Sequence, residues 1–320
     1  MNQPAPAGER FPGWARALPL LFLTAAPLAA FQASGQSPVA TFSADADLVV
    51  LHPTVCDRKG RFVAGLRKED FHVLENGSPQ VIQVFQHEDV PVAVGLVVDN
   101  SGSMASKRND VAAAALAFVH SSNPHDEVFI VNFNEHVSFG LPDTQMFSAS
   151  PADLMRALNG VPARGQTALY DAVAAGLAHL ERATLDKKVL VVVSDGGDNA
   201  SRTTLSQVLD RAARSEALIY TIGLYDVDDE DRNPGVLGKL ARATGGQRYL
   251  PQETVGVVKI CKRIAEDIRN QYTVGYVPSD RKFENRYRTI RVTAIGRYGH
   301  KYRVRTRAGY IAAPPPEKTP

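Results

Sequence analysis

The chain has 320 residues, of which 44% are hydrophobic and 22% charged, with 36 Lys and Arg against 34 Asp and Glu. Such a balance suits a soluble globular protein and excludes a wholly disordered, collagen-like or coiled-coil chain. The net charge of +2 gives no global reason to bind nucleic acid, and the 2 cysteines exclude a disulfide-dense scaffold or a four-cysteine zinc site.

Residues 1–35 read as an export signal. Arg10 and Arg16 precede an apolar stretch from Ala17 to Ala30. As a helix this run of roughly 14 residues reaches about 21 Å, short of the about 30 Å of a bilayer core. Pro19 and Pro27 weaken it further. Small residues follow at Ala33, Ser34 and Gly35, the pattern of a cleaved secretory signal. An uncleaved membrane anchor is the alternative. The protein is therefore expected to be secreted or periplasmic, with no stable transmembrane segment after cleavage.

Residues 45–88 are expected to form the N-terminal part of a β domain. Leu48–Leu51, Arg61–Val63, Phe71–Leu74 and Val81–Phe85 read as strands, split by turns at Asp57–Gly60 and Glu75–Gly77. Asn76-Gly77 is a strong hairpin signal.

Residues 91–270 alternate apolar strands with amphipathic helices. Val92–Val98 and Val189–Val193 are continuous apolar runs, as in parallel strands covered on both faces. Val128–Phe133 and Leu218–Ile222 supply two more. Helices are expected over 105–121, 151–159, 167–184, 203–215, 234–243 and 254–270. The fold class is thus α/β, a doubly wound and mostly parallel sheet. In such sheets ligands bind at the carboxyl ends of the strands.

Residues 271–311 return to β patterning at Tyr272–Val277, Tyr287–Ala294 and Lys301–Arg307. They are expected to complete a β-sandwich-like domain with the strands of 45–88, the α/β domain being inserted between the two. Residues 312–320, with Pro314–Pro316, are expected to be a disordered tail.

The residues that carry chemistry follow the strands. After Val98 come Asp99, Ser101 and Ser103 at alternate positions, where all three can point one way. Gly102 is expected to allow the tight turn into the next helix. Thr167 opens another helix, and Asp195 follows the second long apolar run. Two carboxylates and three hydroxyls at one sheet edge are hard oxygen donors, suited to magnesium, manganese or calcium and unsuited to zinc or copper. Taken singly, each could be a helix cap or a turn residue. Their joint placement in one α/β unit favours a metal site, with Asp198 as a weaker candidate.

Asp99–Met104, Gly165–Ala172 and Val191–Gly196 together resemble the von Willebrand factor type A domain and the three parts of its metal-ion-dependent adhesion site, in chain order. Leu66–Gly77, Arg232–Gly235 and Gln271–Tyr276 resemble a secreted bacterial group of such proteins. The resemblance covers roughly residues 45–311. It implies that Ser101, Ser103 and Thr167 touch the cation directly or through water, with Asp99 and Asp195 close by. It also implies a magnesium ion, with manganese or calcium as alternatives, and a protein partner whose Asp or Glu carboxylate completes the shell. With several neutral ligands, the cation keeps affinity for that incoming acid.

Enzyme readings fare worse. There is no G-x-S-x-G elbow and no phosphate-binding G-x-x-x-x-G-K-[ST]. Ser101 stands where an aspartyl-phosphate enzyme would want its second Asp. The eight histidines are scattered and form no H-E-x-x-H pair. The reading is a non-catalytic, cation-dependent adhesion module of the cell envelope or secreted fraction. A scaffold whose metal only stabilises the fold, or a metal-dependent hydrolase, is the alternative.

Three further features complete the reading. Asp226–Asp231 is acidic but lacks the glycine of a calcium loop, and a solvated loop is expected. Arg303, Arg305 and Arg307 alternate with Tyr302, Val304 and Thr306, which predicts a basic, solvated strand face guarding a sheet edge, with attraction to an anionic envelope surface or polymer as a lesser role. Cys56 and Cys261, on separate regular elements, are expected to be free thiols.

Overall fold

Alternating β-branched and aromatic residues before position 90 give five short strands. In the computed structural model, which describes residues 48–120, 123–225, 233–251, 255–280 and 286–312, these are β1 (Val49–Leu51), β2 (Thr54–Cys56), β3 (Phe71–Glu75), β4 (Ser78–Gln80) and β5 (Ile82–Gln86). Asn76 and Gly77 turn β3 into β4 with φ of 49° and 82°, the left-handed pair that a two-residue hairpin needs. The expected export signal, the Asp226–Asp231 loop and the tail beyond Ala312 lie outside the described residues.

The α/β part then runs β6 (Ala93–Asp99), α1 (Arg108–His120), β7 (Glu127–Phe133), β8 (Val137–Phe139), α2 (Pro151–Asn159), α3 (Leu169–Leu180), β9 (Lys188–Ser194), α4 (Leu205–Arg214), β10 (Leu218–Gly223), α5 (Pro234–Thr244), β11 (Arg248–Tyr249) and α6 (Val255–Arg269). Local chemistry fixes the helix starts. Ser150 accepts from the Asp153 N–H ahead of Pro151, and Thr204 and Gln207 form a capping box. A tight 3-10 turn, Gly102–Lys107, precedes α1 where the sequence predicted helix from 105.

The sheet order is β11-β10-β9-β6-β7-β8, parallel except for β8 at the edge. Every residue of β6 is buried. Its Val and Leu side chains stabilise the fold by roughly 1.5–3 kcal/mol each relative to exposure. From β6 the chain moves to one side for β7 and to the other for β9. The carboxyl ends of β6 and β9 therefore frame the point where the winding reverses, the crevice in which such sheets bind ligands.

β12 (Thr273–Tyr276), β13 (Tyr287–Ala294), β14 (Arg303–Arg305) and β15 (Gly309–Ile311) follow. Strands from the two flanks share every sheet outside the α/β part: β1-β12-β5, β15-β13-β3-β4 and β14-β2. A second hydrophobic core lies between them. Leu51, Ile82, Val274 and Tyr276 come from one sheet, and Phe71, Val73, Ile290 and Val292 from another. The fold is α/β with an added β-sandwich-like part, as the sequence predicts. β4, β8, β11 and β15 are among the strands that escaped the sequence reading, and Arg61–Val63 makes only a bridge from Phe62 to Cys56.

The basic face predicted for Arg303, Arg305 and Arg307 needs correction. Only Arg303 is exposed. Arg305 forms an ion pair with Asp267, whose side chain is 2% exposed, and Asp267 also accepts from Thr54 (2.7 Å) and Tyr220 (3.1 Å). Arg307 donates from Nη2 to the carbonyls of Ala213 (3.0 Å) and Ser215 (2.9 Å) at the end of α4. Helix C-termini present unpaired carbonyls that attract cations, so these arginines turn inward and fasten the β part to the α/β part. Cys56 and Cys261 are both free. Among the described residues no helix is long and apolar enough to cross a membrane.

Candidate metal centre

β6 ends in Asp99 and β9 in Ser194, and the pairing of Val98 with Val193 brings the two ends level. Ser194 Oγ donates to Asp99 Oδ2 at 2.6 Å, and the Ser101 N–H donates to Asp99 Oδ1 at 2.8 Å. Ser103 Oγ donates to Asp195 Oδ2 at 2.5 Å and shares a 3.1 Å hydrogen bond with Ser101 Oγ. The structure thus links Asp99, Ser101, Ser103 and Asp195 in one continuous polar cluster. Because Ser103 spends its one hydroxyl hydrogen on Asp195, Ser101 is the donor of the 3.1 Å bond, and the Ser103 oxygen keeps one lone pair free.

Thr167 is joined to this cluster through backbone. The Gly102 N–H donates to Gly165 O at 3.1 Å, and the Thr167 N–H donates to Asn199 Oδ1 at 2.9 Å. Among the described residues Thr167 Oγ1 has no hydrogen-bond partner, so its hydroxyl is uncommitted. Asp198 is committed elsewhere. Its Oδ2 accepts from the Tyr170 N–H (2.9 Å) and Ser201 Oγ (2.6 Å), capping α3, whose own N-cap residue is Ala168.

The left-handed glycines also differ from expectation. Gly102 has no positive φ, and a Cβ there would meet Gly165 O at an ordinary 3.6 Å. The turns are made by Gly165 (φ 85°) and Gly196 (φ 81°), and a Cβ on Gly196 would lie 2.4 Å from Asn233 O.

The sequence reading missed three supports. Ser194 lies within the Val191–Gly196 stretch, where the sequence alone assigns it no role of its own. Asn100 donates to Val98 O and to Asn132 Oδ1, both at 3.1 Å, and so ties the first loop to β7. Glu135, in the loop after β7, accepts from the Gln166 N–H at 3.1 Å and steadies the Thr167 loop. Each reaches the site across about 30 residues or more of chain, a pairing that no local spacing announces.

Asp99 and Asp195 are 3% and 2% exposed, and among the described residues neither has a Lys or Arg ion-pair partner. Burial, and to a smaller extent the Asp195 charge, push the Asp99 carboxyl up to about 6, against the hydrogen bonds from Ser101 and Ser194. Two buried carboxylates without a cation are costly. The oxygen-only donor set and this unbalanced negative charge fit a hard divalent cation. Among the described residues there is no group of three or more His, Cys, Asp or Glu side chains placed to hold a metal, so hydroxyls would form much of the shell.

Residues 94–197 match the von Willebrand factor type A domain family, and over that stretch the chain is similar to it. Among solved structures, a von Willebrand factor type A protein from Catenulispora acidiphila is 12% identical, with a TM-score of 0.48, covering 84% of this chain and 75% of that one. The von Willebrand domain of the type V pilus tip protein Mfa5 from Porphyromonas gingivalis is 14% identical, with a TM-score of 0.47, covering 56% and 95%. The conserved hypothetical protein BatB from Bacteroides thetaiotaomicron is 14% identical, with a TM-score of 0.45, covering 55% and 97%. No curated protein gives a significant match.

Proposed function

We propose that the chain is a non-catalytic protein-binding module that works through a divalent cation, magnesium first, held by Asp99, Ser101, Ser103, Thr167 and Asp195. One observation carries this reading: two buried carboxylates, with no cationic partner among the described residues, share one hydrogen-bonded cluster with Ser101 and Ser103 at the reversal point of the sheet. The cation would supply Lewis acidity toward an anionic oxygen. The protein's own residues hold the donors in place and leave the neutral hydroxyls to temper the site's charge. An Asp or Glu carboxylate of a protein partner is the matching ligand.

The hydrogen bonds support a binding role over catalysis. Among the described residues no histidine reaches Ser101 or Ser103, and the Ser103 hydroxyl donates its hydrogen bond to Asp195. Export to the periplasm or beyond follows from the N-terminal apolar segment and belongs to the same proposal. The test is capture from an envelope extract by the immobilised protein, with magnesium and again with a chelator. Capture that survives the chelator contradicts the reading.

A further inference from the structure

Two turns at one end of the β-sandwich part carry positive charge that the metal site does not use. Cys56 of β2 pairs with Arg303 of the antiparallel β14. The turn closed by the Gly60 N–H on Asp57 O therefore leaves β2 at the same end where the turn closed by the Gly299 N–H on Gly296 O leads into β14. Between the turns lies an open hollow of about 630 Å³, lined by Arg58, Lys59, Arg61, Phe62, His300 and Tyr302, among others.

The charge here is one-sided. Arg58, Lys59, Arg297 and Lys301 are exposed, and among the described residues their side chains have no ion-pair or hydrogen-bond partner. Asp57 is the sole carboxylate in residues 55–63 and 295–303, and Arg61 already pairs with it at 2.8 Å. Tyr298, between Arg297 and Gly299, is 99% exposed. A turn that presents a bare aromatic ring beside unpaired cations has no use for that ring within its own fold.

We propose that these two turns dock the protein on an anionic lipid bilayer, with lipid phosphates entering the hollow and Tyr298 resting at the interface. Basic side chains gain from the negative surface potential of such a membrane, and tyrosine rings favour the boundary between headgroup and acyl chain. The rings inside the hollow argue against a single-stranded nucleic acid. Phe62 is covered by the Arg263 guanidinium at 3.9 Å, and Tyr302 meets the His300 ring at a steep 66° with centroids 4.8 Å apart, an arrangement that does not extend into a flat stacking platform for bases.

The experiment is co-sedimentation of the full chain with vesicles of phosphatidylcholine alone and of an equimolar phosphatidylcholine–phosphatidylglycerol mixture. The ratio of the two affinities is the readout, because the N-terminal apolar stretch is common to every variant. Loss of one cation near the surface changes the ratio roughly fivefold, so the Arg58→Gln/Lys59→Gln pair should lower it about 25-fold. The Arg297→Gln/Lys301→Gln pair on the other turn should do the same and serves if the first pair folds poorly. Tyr298→Ser should weaken binding to the anionic vesicles severalfold. Equal binding to both vesicles, a ratio unmoved by either pair, or tighter binding to a single-stranded DNA oligonucleotide than to the vesicles overturns the proposal.

Discussion

Ser194 Oγ donates to Asp99 Oδ2 across 2.6 Å, so the last residue of β9 orients the last residue of β6. The same Ser194 oxygen accepts from the Gly196 N–H at 3.0 Å, which ties it to the Asp195 loop. Ser194→Ala removes both bonds without touching the donors assigned to the cation. Partners one layer behind a metal's ligands typically change affinity by about 10–100-fold when lost. Calorimetric titration should show magnesium affinity lowered by about tenfold, with circular dichroism unchanged. Wild-type affinity in this variant would remove Ser194 from the account.

Arg305 and Asp267 hold the β-sandwich part to the end of α6. Removing the guanidinium leaves Asp267 buried with Thr54 and Tyr220 as its remaining partners. Breaking a buried pair costs about 3–5 kcal/mol, and the 28% exposure of the Arg305 side chain places Arg305→Met near the low end, at roughly 3 kcal/mol. Denaturant unfolding measures this. Adding Asp267→Asn should restore part of the loss, because the stranded charge goes with it.

Lys187 is 4% exposed and donates to Ile268 O near the end of α6. Burial lowers its pKa to about 8 from an ordinary 10.5, only partly offset by Asp267, Asp89 and Asp126. Below pH 8 the lysine is charged in both states and the burial cost is present in full. Between pH 8 and 10.5 the folded protein loses the proton while the unfolded chain keeps it, so stability rises with pH. Relative to Lys187→Met, the wild type should gain on the order of 2 kcal/mol between pH 7 and 10. A difference that stays flat across that range contradicts the assignment.

Gly196 holds a left-handed φ of 81° beside Asn233 O. Gly196→Ala adds strain and a backbone clash of about 2 kcal/mol together. The unfolding midpoint should fall. Cation affinity should fall with it, since the Asp195 carbonyl is held by the Asn233 N–H at 3.1 Å.

What was legible in the sequence follows a physical rule. Val92–Val98 and Val189–Val193 announce their strands because burial on both faces demands unbroken apolar runs. Asn76-Gly77 announces its hairpin because few other pairs tolerate its dihedrals. Asp99, Ser101 and Ser103 are visible because their spacing is local. The inward turn of Arg305 and Arg307 is not, since an alternating arginine strand reads the same whether solvent or Asp267 lies opposite. Nor is the role of Asp198, whose capping of α3 depends on a loop 28 residues away. Three-residue strands such as β4 and β15 carry too few side chains to show a period.

Calorimetric titration of wild type and Asp99→Ala with magnesium and manganese tests the central claim most directly. The account predicts a single site in the wild type and none in Asp99→Ala, which should stay folded because Asp99 is the last residue of β6, beyond the apolar core, and its loss also removes a buried charge. Ser103→Ala should weaken binding less, since it removes a donor without removing charge. A folded Asp99→Ala protein that binds either cation as tightly as wild type would contradict the cation-dependent reading of this site.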